Sequence, residues 1–124
     1  MIFKENTKAI YLQIADKICD EVMMGNPRQG ERIPSVREYA STLQVNANTV
    51  MRSYDYLDKA GVIFNRRGIG FFIAEDACER ILAMRREAFF SGEMQEFFHS
   101  IHLLGIEPEK LMELYTNYLR ENLK

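Results

Sequence analysis

The side chains best suited to bind another molecule are arginines in the middle of the chain, which lie beside short polar residues. Arg37 and Arg52 fall in polar positions of helical patterns, and Arg66 and Arg67 precede Gly68 in a glycine-rich segment. A guanidinium can bind a phosphate, or the O6 and N7 atoms of guanine, through paired hydrogen bonds. A glycine lets the backbone approach another molecule closely. These residue types predict recognition of nucleic acid.

Two short helices are predicted to present these groups. A capping box at Ser35–Glu38 begins the first helix, which should run to about Leu43. Asn46 is a good N-cap for the second helix, which should end at Ala60–Gly61. One face of the second helix is apolar and consists of Val50, Tyr54 and Leu57. The opposite face is polar and consists of Asn48, Arg52, Asp55 and Lys59, with Thr49 beside them.

A β-hairpin is predicted directly after the second helix. Residues 62–64 and 71–73 have strand propensity, and the segment 65–70 between them is rich in glycine and arginine. Residues 9–24, upstream, have helical periodicity, with Thr7 as a candidate N-cap. A helix, a helix-turn-helix and a hairpin in this order predict a winged helix-turn-helix.

The residues after Glu75 return to a helical pattern. Apolar residues follow three- and four-residue spacing up to Leu104, which predicts a long helix that bends or divides at Ser91–Gly92. Pro108 suits the start of a last helix, whose apolar stripe is Leu111, Leu114, Tyr115, Tyr118 and Leu119. A second copy of the chain is the most economical cover for these apolar faces.

The predicted fold class is therefore mainly α with a small β-hairpin. Residues 1–75 would form a winged helix-turn-helix DNA-binding domain. Residues 76–124 would form a helical dimerisation tail, which is also the candidate region for an unknown small-molecule effector. The charge is divided accordingly: residues 1–75 carry ten lysines and arginines against nine acidic residues, and residues 76–124 carry six against nine. DNA affinity is expected to come from two copies of a small basic patch.

Five segments match a known family in order and spacing: Ile10–Ile14, Gly30–Glu38, Val45–Val50, Arg52–Tyr54 with Leu57 and Gly61, and Arg66–Gly70. In these segments the chain resembles the GntR family of bacterial regulators, and within it the short YtrA-type branch. The resemblance covers about residues 9–75, and the tail is short, as in that branch, where two helices serve dimerisation. Ala47 and Met51 occupy positions where other branches place base-reading arginines, so the operator preferences of those branches do not transfer.

The resemblance implies a homodimeric transcription regulator, usually a repressor, that binds a pseudo-palindromic operator in double-stranded DNA. It places Arg37, Arg52 and the first turn of the second helix in the major groove. It places the tip of the hairpin, called the wing, in the minor groove or against its phosphates. The residues predicted to bind DNA are Ser35, Arg37, Asn46, Asn48, Thr49, Arg52, Arg66, Arg67 and Gly68.

Several of these arginines also have a structural interpretation. Arg52 would form an intrahelical ion pair with Asp55, Arg37 would be an ordinary surface residue, and Arg66 and Arg67 would only solubilise a turn. DNA contact is favoured because the arginines recur at the positions of the family motif. The alternative function is a winged helix that docks on a protein and does not bind DNA sequence-specifically.

Other residue groups are expected to be structural. Tyr11, Tyr54 and Tyr56 should pack within the protein, because a winged helix reads duplex DNA rather than unstacked bases. The phenylalanine pairs 89–90 and 97–98 fit a dimer core better than an effector pocket. Glu96, His99 and His102 are three residues apart, but the outer pair drifts by about 60° around a helix, so no metal site is predicted.

The sequence also limits the class of protein. At 124 residues the chain supports one compact domain, or one small domain with an appendage. It has no run of apolar residues long enough to span a membrane and no visible secretory signal. Cys19 and Cys78 are isolated and fit reduced core thiols, so a cytoplasmic location is expected. The absence of a nucleotide-binding loop, an activated nucleophile or a two-metal cluster predicts no enzymatic activity and no cofactor.

Overall fold

The computed structural model of the protein describes residues 8–123 of the chain. Thr7, the candidate N-cap, lies outside the described residues, and α1 follows Ala9 without a side-chain cap. The elements in chain order are α1 (Ile10–Met23), α2 (Val36–Leu43), α3 (Ala47–Lys59), β1 (Ile63–Arg66), β2 (Gly70–Ile73), α4 (Ala77–Ser91), α5 (Glu93–Leu103) and α6 (Pro108–Asn122). The predicted fold class, mainly helical with a small hairpin, is confirmed.

The two predicted helix starts are confirmed. The Ser35 hydroxyl accepts from the Glu38 backbone N–H at 3.2 Å, and the Glu38 carboxylate accepts from the Ser35 N–H at 3.1 Å. This reciprocal pair satisfies N–H groups that a helix start otherwise leaves without partners. Gln44 ends α2 in the left-handed conformation, with φ 57°, and α3 begins three residues later, after Asn46. A sharp turn between the two helices results.

The core of the first half of the chain lies between α1, α2, α3 and the hairpin. The predicted apolar face of α3 is buried there, with Val50, Tyr54 and Leu57 each at most 1% exposed. The Tyr54 hydroxyl donates to the Pro34 carbonyl at 2.7 Å, which ties α3 to the segment before α2. Burial raises the pKa of the Tyr54 phenol well above its usual value, so the group stays protonated and keeps donating.

Replacing Tyr54 with phenylalanine is expected to lower the free energy of unfolding by about 1 kcal/mol. The change keeps the ring but leaves the Pro34 carbonyl without its donor. Urea denaturation of the wild type and Tyr54→Phe, followed by circular dichroism, measures the difference. Tyr56→Phe is the matched control, because Tyr56 lies in the same unit and its side chain is exposed. Equal losses in the two variants would contradict the role of the Tyr54 hydrogen bond.

The connection between the two strands of the hairpin is shorter than predicted, and a third segment of the chain pairs with β2. Arg66 pairs with Gly70, and the Ile69 N–H donates to the Arg66 carbonyl at 2.9 Å, so the connection is shorter than the predicted segment 65–70. The segment Gly30–Ile33 runs along β2, where Arg32 bridges to Phe72. Backbone hydrogen bonds of 2.8–2.9 Å join this segment to β2. No pattern in the sequence predicts this additional pairing with β2.

The tail contains two helices before α6, rather than one bent helix. Gly92 separates α4 from α5 with φ −112° and ψ −93°, which is not helical. The chain forms two compact units, and the first ends at Arg85. This boundary falls ten residues after the predicted domain boundary at Glu75, because Ala77 and Ile81 of α4 are fully buried in the core of the first unit. The functional division at Glu75 stays a prediction.

The second unit, residues 86–124, has a different character from the first. No residue of α5 or α6 is buried, among the side chains described.

Within residues 8–123, no helix is long and apolar enough to cross a membrane. The same residues contain no group of three His, Cys, Asp or Glu side chains arranged to hold a metal, so Glu96, His99 and His102 do not converge.

The two cysteines are free thiols. Cys19 is buried in the core, and Cys78 is half-buried. Burial raises the pKa of the Cys19 thiol to about 11, so this thiol is uncharged at neutral pH. The interpretation of Cys19 as an unreactive core residue follows from this environment.

Candidate nucleic-acid interface

All nine predicted DNA-binding residues lie in the first unit, in three groups. The first group is at the start of α2, the second is in the first two turns of α3, and the third is at the tip of the hairpin. Ser35 and Thr49 are half-buried, and the other seven residues are exposed. The polar groups are therefore presented on the surface, while the apolar faces of the same helices build the core. Their contact with DNA stays a prediction at this point.

The first turn of α3 combines a capped helix start with exposed amides. The Asn46 side-chain oxygen accepts from the Asn48 backbone N–H at 2.8 Å, so the NH2 group of Asn46 is the part left to contact another molecule. The helix start carries a partial positive charge, which favours a phosphate nearby. Asn48 projects from the polar face and can pair with the N6 and N7 atoms of adenine. Asn46 is a cap that can also contact DNA.

Arg52 is held in a way that the sequence analysis did not predict. Its guanidinium carbon lies 4.1 Å from the centroid of the Tyr11 ring, which belongs to α1. The alternative of an Arg52–Asp55 ion pair is wrong, because Asp55 pairs with Lys59 at 3.1 Å. Tyr11, expected only to pack, instead supports a cation. No local pattern indicates a contact between residues 41 positions apart.

The start of α2 presents Arg37 on the surface. Arg37 is exposed, and its guanidinium forms no hydrogen bond or ion pair with any other residue in the range 8–123. The Ser35 hydroxyl oxygen already accepts from the Glu38 N–H, so the side chain of Ser35 serves the cap, and its contact with a phosphate stays a prediction. Hydrogen bonds from the Ser35 backbone N–H and hydroxyl hold the pKa of the Glu38 carboxyl below its usual value.

The capping box should make stability depend on acid pH in a defined direction. Because folding lowers the pKa of Glu38, its stabilising effect is complete above the usual value of 4.5 and is lost as the pH falls through the lower folded value. Glu38→Gln keeps a capping side chain without a titrating group. We expect the wild type to be the more stable protein at pH 7 and the difference in unfolding temperature to shrink as the pH falls below 4.5. A difference that stays constant from pH 7 into the acid range would contradict this role.

The two arginines of the wing have different environments. The Arg66 guanidinium carbon lies 4.9 Å from the centroid of Phe72 and 5.8 Å from that of Phe64, whose rings stack on each other. Arg67 forms no ion pair or hydrogen bond within the described part of the chain. Gly68 has φ 80°, which a residue with a Cβ rarely adopts. Arg66 is therefore anchored on the wing, whereas Arg67 is free to approach a phosphate.

Arg32 is a further cation at the wing that the sequence analysis did not select. The bridge to Phe72 brings it alongside β2, where a Cβ on Gly70 would lie 3.0 Å from the Arg32 Nε atom. Gly70 thus leaves the space that the guanidinium occupies. Glu31, Arg32 and Ile33 do not alternate between polar and apolar, so no pattern in this segment predicts a strand or the position of Arg32.

A helix-turn-helix with an exposed polar second helix, followed by a hairpin with arginines at its tip, defines the class of the protein: a winged helix-turn-helix DNA-binding protein. The family model described as bacterial regulatory proteins, gntR family, matches residues 10–73. The chain therefore belongs to the GntR family of transcription regulators, as its resemblance predicted. Members of this family regulate transcription and are not enzymes.

Relatives along most of the chain support this assignment. The HTH-type transcriptional regulator YhcF of Bacillus subtilis (strain 168) is 35% identical over 109 residues, which are 88% of each chain. The HTH-type transcriptional repressor YtrA of the same organism is 33% identical over 84% of this chain and 79% of its own length. A crystal structure of a GntR-family regulator from Bacteroides thetaiotaomicron is 48% identical, covers 91% of this chain and 98% of its own, and superimposes with a TM-score of 0.80.

Proposed function

We propose that the protein is a homodimeric repressor that binds a pseudo-palindromic operator, in the cytoplasm. The observation that carries the proposal is the surface of the first unit, where the polar face of α3 is exposed and is accompanied by the exposed Arg37 and the wing arginines. The repressing role is supported by the similarity to YtrA, whose name describes a repressor. A dimer bound at a promoter would block access of the polymerase.

Base contacts and phosphate contacts are expected to be divided between the three groups. Arg37, Asn48 and Arg52 would read base edges in the major groove, since each offers the paired donors or acceptors that distinguish bases. Arg67 and the backbone at Gly68 would contact phosphates, which positions the protein without selecting sequence. Arg66 would contribute charge from its anchored position.

The proposal of a homodimer is supported by the surface of the tail. Large apolar side chains of α4, α5 and α6, and of the residues that cap the last two helices, are between 45% and 78% exposed: Phe89, Phe90, Phe97, Phe98, Leu103, Leu104, Met112, Leu114, Tyr115, Tyr118 and Leu123. Monomeric soluble proteins rarely expose so many apolar side chains close together. A second copy would cover them. Two-fold symmetry would then place the two copies of α3, the proposed recognition helix, about one DNA turn apart.

The proposal is tested by selecting preferred sequences from a pool of randomised duplexes with the purified full-length protein. The selected duplex and a scrambled version are then titrated at two salt concentrations. We expect a palindromic selected sequence, two protomers per duplex and binding that weakens with salt. A protein that selects no sequence, and whose weak binding does not depend on salt, would overturn the proposal and favour the protein-docking alternative.

The tail is also proposed as the place where a small-molecule effector would act, if the protein responds to one. A ligand that binds the folded protein raises its unfolding temperature. Differential scanning of the full-length protein against metabolites and divalent cations would then show an unfolding temperature that increases with the concentration of the effector. No shift across the set would count against an effector among the compounds tested.

A further inference from the structure

The stacking of Arg52 on Tyr11 joins the proposed recognition surface to a helix that carries none of the predicted DNA contacts. Arg52 lies on the polar face of α3, and Tyr11 lies near the start of α1. The guanidinium is centred 4.1 Å from the ring centroid, which is close contact for a cation on an aromatic face. The edges of a stacked guanidinium keep their N–H groups available for other acceptors.

Tyr11 is itself fixed by two contacts to α3. Its ring meets the edge of the Tyr56 ring, with centroids 6.5 Å apart and an interplanar angle of 73°. Its backbone carbonyl accepts from the Ser53 hydroxyl at 2.7 Å, and Ser53 is fully buried. Both the backbone and the ring of Tyr11 are therefore packed against α3.

The nearest acidic alternative for Arg52 is already engaged. Asp55, one turn further along α3, pairs with Lys59 at 3.1 Å. Without the Tyr11 ring, the long side chain of Arg52 would sample many rotamers, and ordering it on DNA would cost side-chain entropy. An arginine that is ordered before binding avoids that cost.

We propose that Tyr11 is a positioning residue for Arg52: its ring holds the guanidinium in the orientation that enters the DNA groove, so that Tyr11 contributes to sequence preference without contacting DNA. This inference rests on the proposed function. It assigns part of the sequence preference of α3 to a residue of α1.

The test is a double-mutant cycle on the full-length protein, with the duplex selected by the wild type and its scrambled version as probes. The variants are Tyr11→Leu, Tyr11→Phe, Arg52→Ala and Tyr11→Leu combined with Arg52→Ala. Tyr11→Leu is expected to weaken binding to the selected duplex about three- to tenfold, as the cost of ordering a free arginine side chain predicts, and to leave binding to the scrambled duplex unchanged. Tyr11→Phe should bind like the wild type. In the Arg52→Ala background, Tyr11→Leu should have no further effect.

Three results would overturn the positioning role. They are equal losses from Tyr11→Leu in the two backgrounds, no loss from Tyr11→Leu in the wild type, and a loss from Tyr11→Phe, which would mean that the hydroxyl contacts DNA. If Tyr11→Leu does not fold, Tyr11→Met replaces it in the same cycle, because methionine keeps a long apolar side chain but lacks the aromatic face. Tyr11→Met should lose affinity for the selected duplex but not for the scrambled one, and retention of full affinity for the selected duplex would overturn the proposal. Failure of the wild type to select any sequence would instead count against the proposed function.

Discussion

Replacing Phe98 with glutamate is expected to convert the protein to a monomer and to weaken its binding to the selected duplex by about a hundredfold or more. Phe98 is 45% exposed on α5, a helix with no buried residue. Replacing its ring should therefore change the stability of a single protomer little. In a dimer, a carboxylate at this position would be removed from water without a partner. A monomer loses the second half-site, and linked binding of two sites exceeds binding of one by a factor of about 10² to 10⁴.

The measurement combines sedimentation velocity with titration of the selected duplex. Ala83→Glu is the control, because it introduces the same charge at an exposed position of α4 whose neighbours one turn away are all charged: Glu79, Arg80, Arg86 and Glu87. The control should remain dimeric and bind like the wild type. A dimeric Phe98→Glu variant with full affinity would show that the tail is not the dimer interface.

Local features of the fold were predictable because neighbouring residues determine them. The capping box at Ser35–Glu38 and the cap at Asn46 each depend on side chains within three residues, and both are present. The break at Gly92 was predicted as a bend or a division, since an interior glycine weakens a helix but does not determine the geometry. The exposed faces of α2 and α3 followed from periodicity for the same reason.

Contacts between distant residues were not predictable from one sequence. Periodicity shows that Arg52 lies on the polar face of α3, but it does not show that the ring of Tyr11 lies beside it. The position of Arg32 depends on a single bridge to Phe72, and the burial of Ala77 and Ile81 depends on how α4 begins. Each of these contacts is a result of packing and leaves no local pattern. The parts of the site that remain predictions are those that need DNA to be present.

The second large effect is expected at Arg37. Arg37→Ala should lower the affinity for the selected duplex by about 5- to 150-fold, the range for one good paired contact to a base, and should change the affinity for scrambled DNA much less. The reason is that Arg37 is exposed beside the recognition helix and has no partner among residues 8–123, so it is not held by the protein surface. Replacing a residue that contacts only phosphate would lower the affinity for both duplexes in the same proportion.

Arg28→Ala is the matched control for Arg37→Ala, because it removes the same charge from an exposed position in the same unit, outside the three predicted groups. It should lower the affinity for both duplexes slightly and equally. Repeating the sequence selection with Arg37→Ala gives a second readout, since loss of a base contact should relax the preference at one position in each half-site. If Arg37→Ala selects the same sequence as the wild type and its losses equal those of Arg28→Ala, then Arg37 acts through charge alone, and base reading must be assigned to α3.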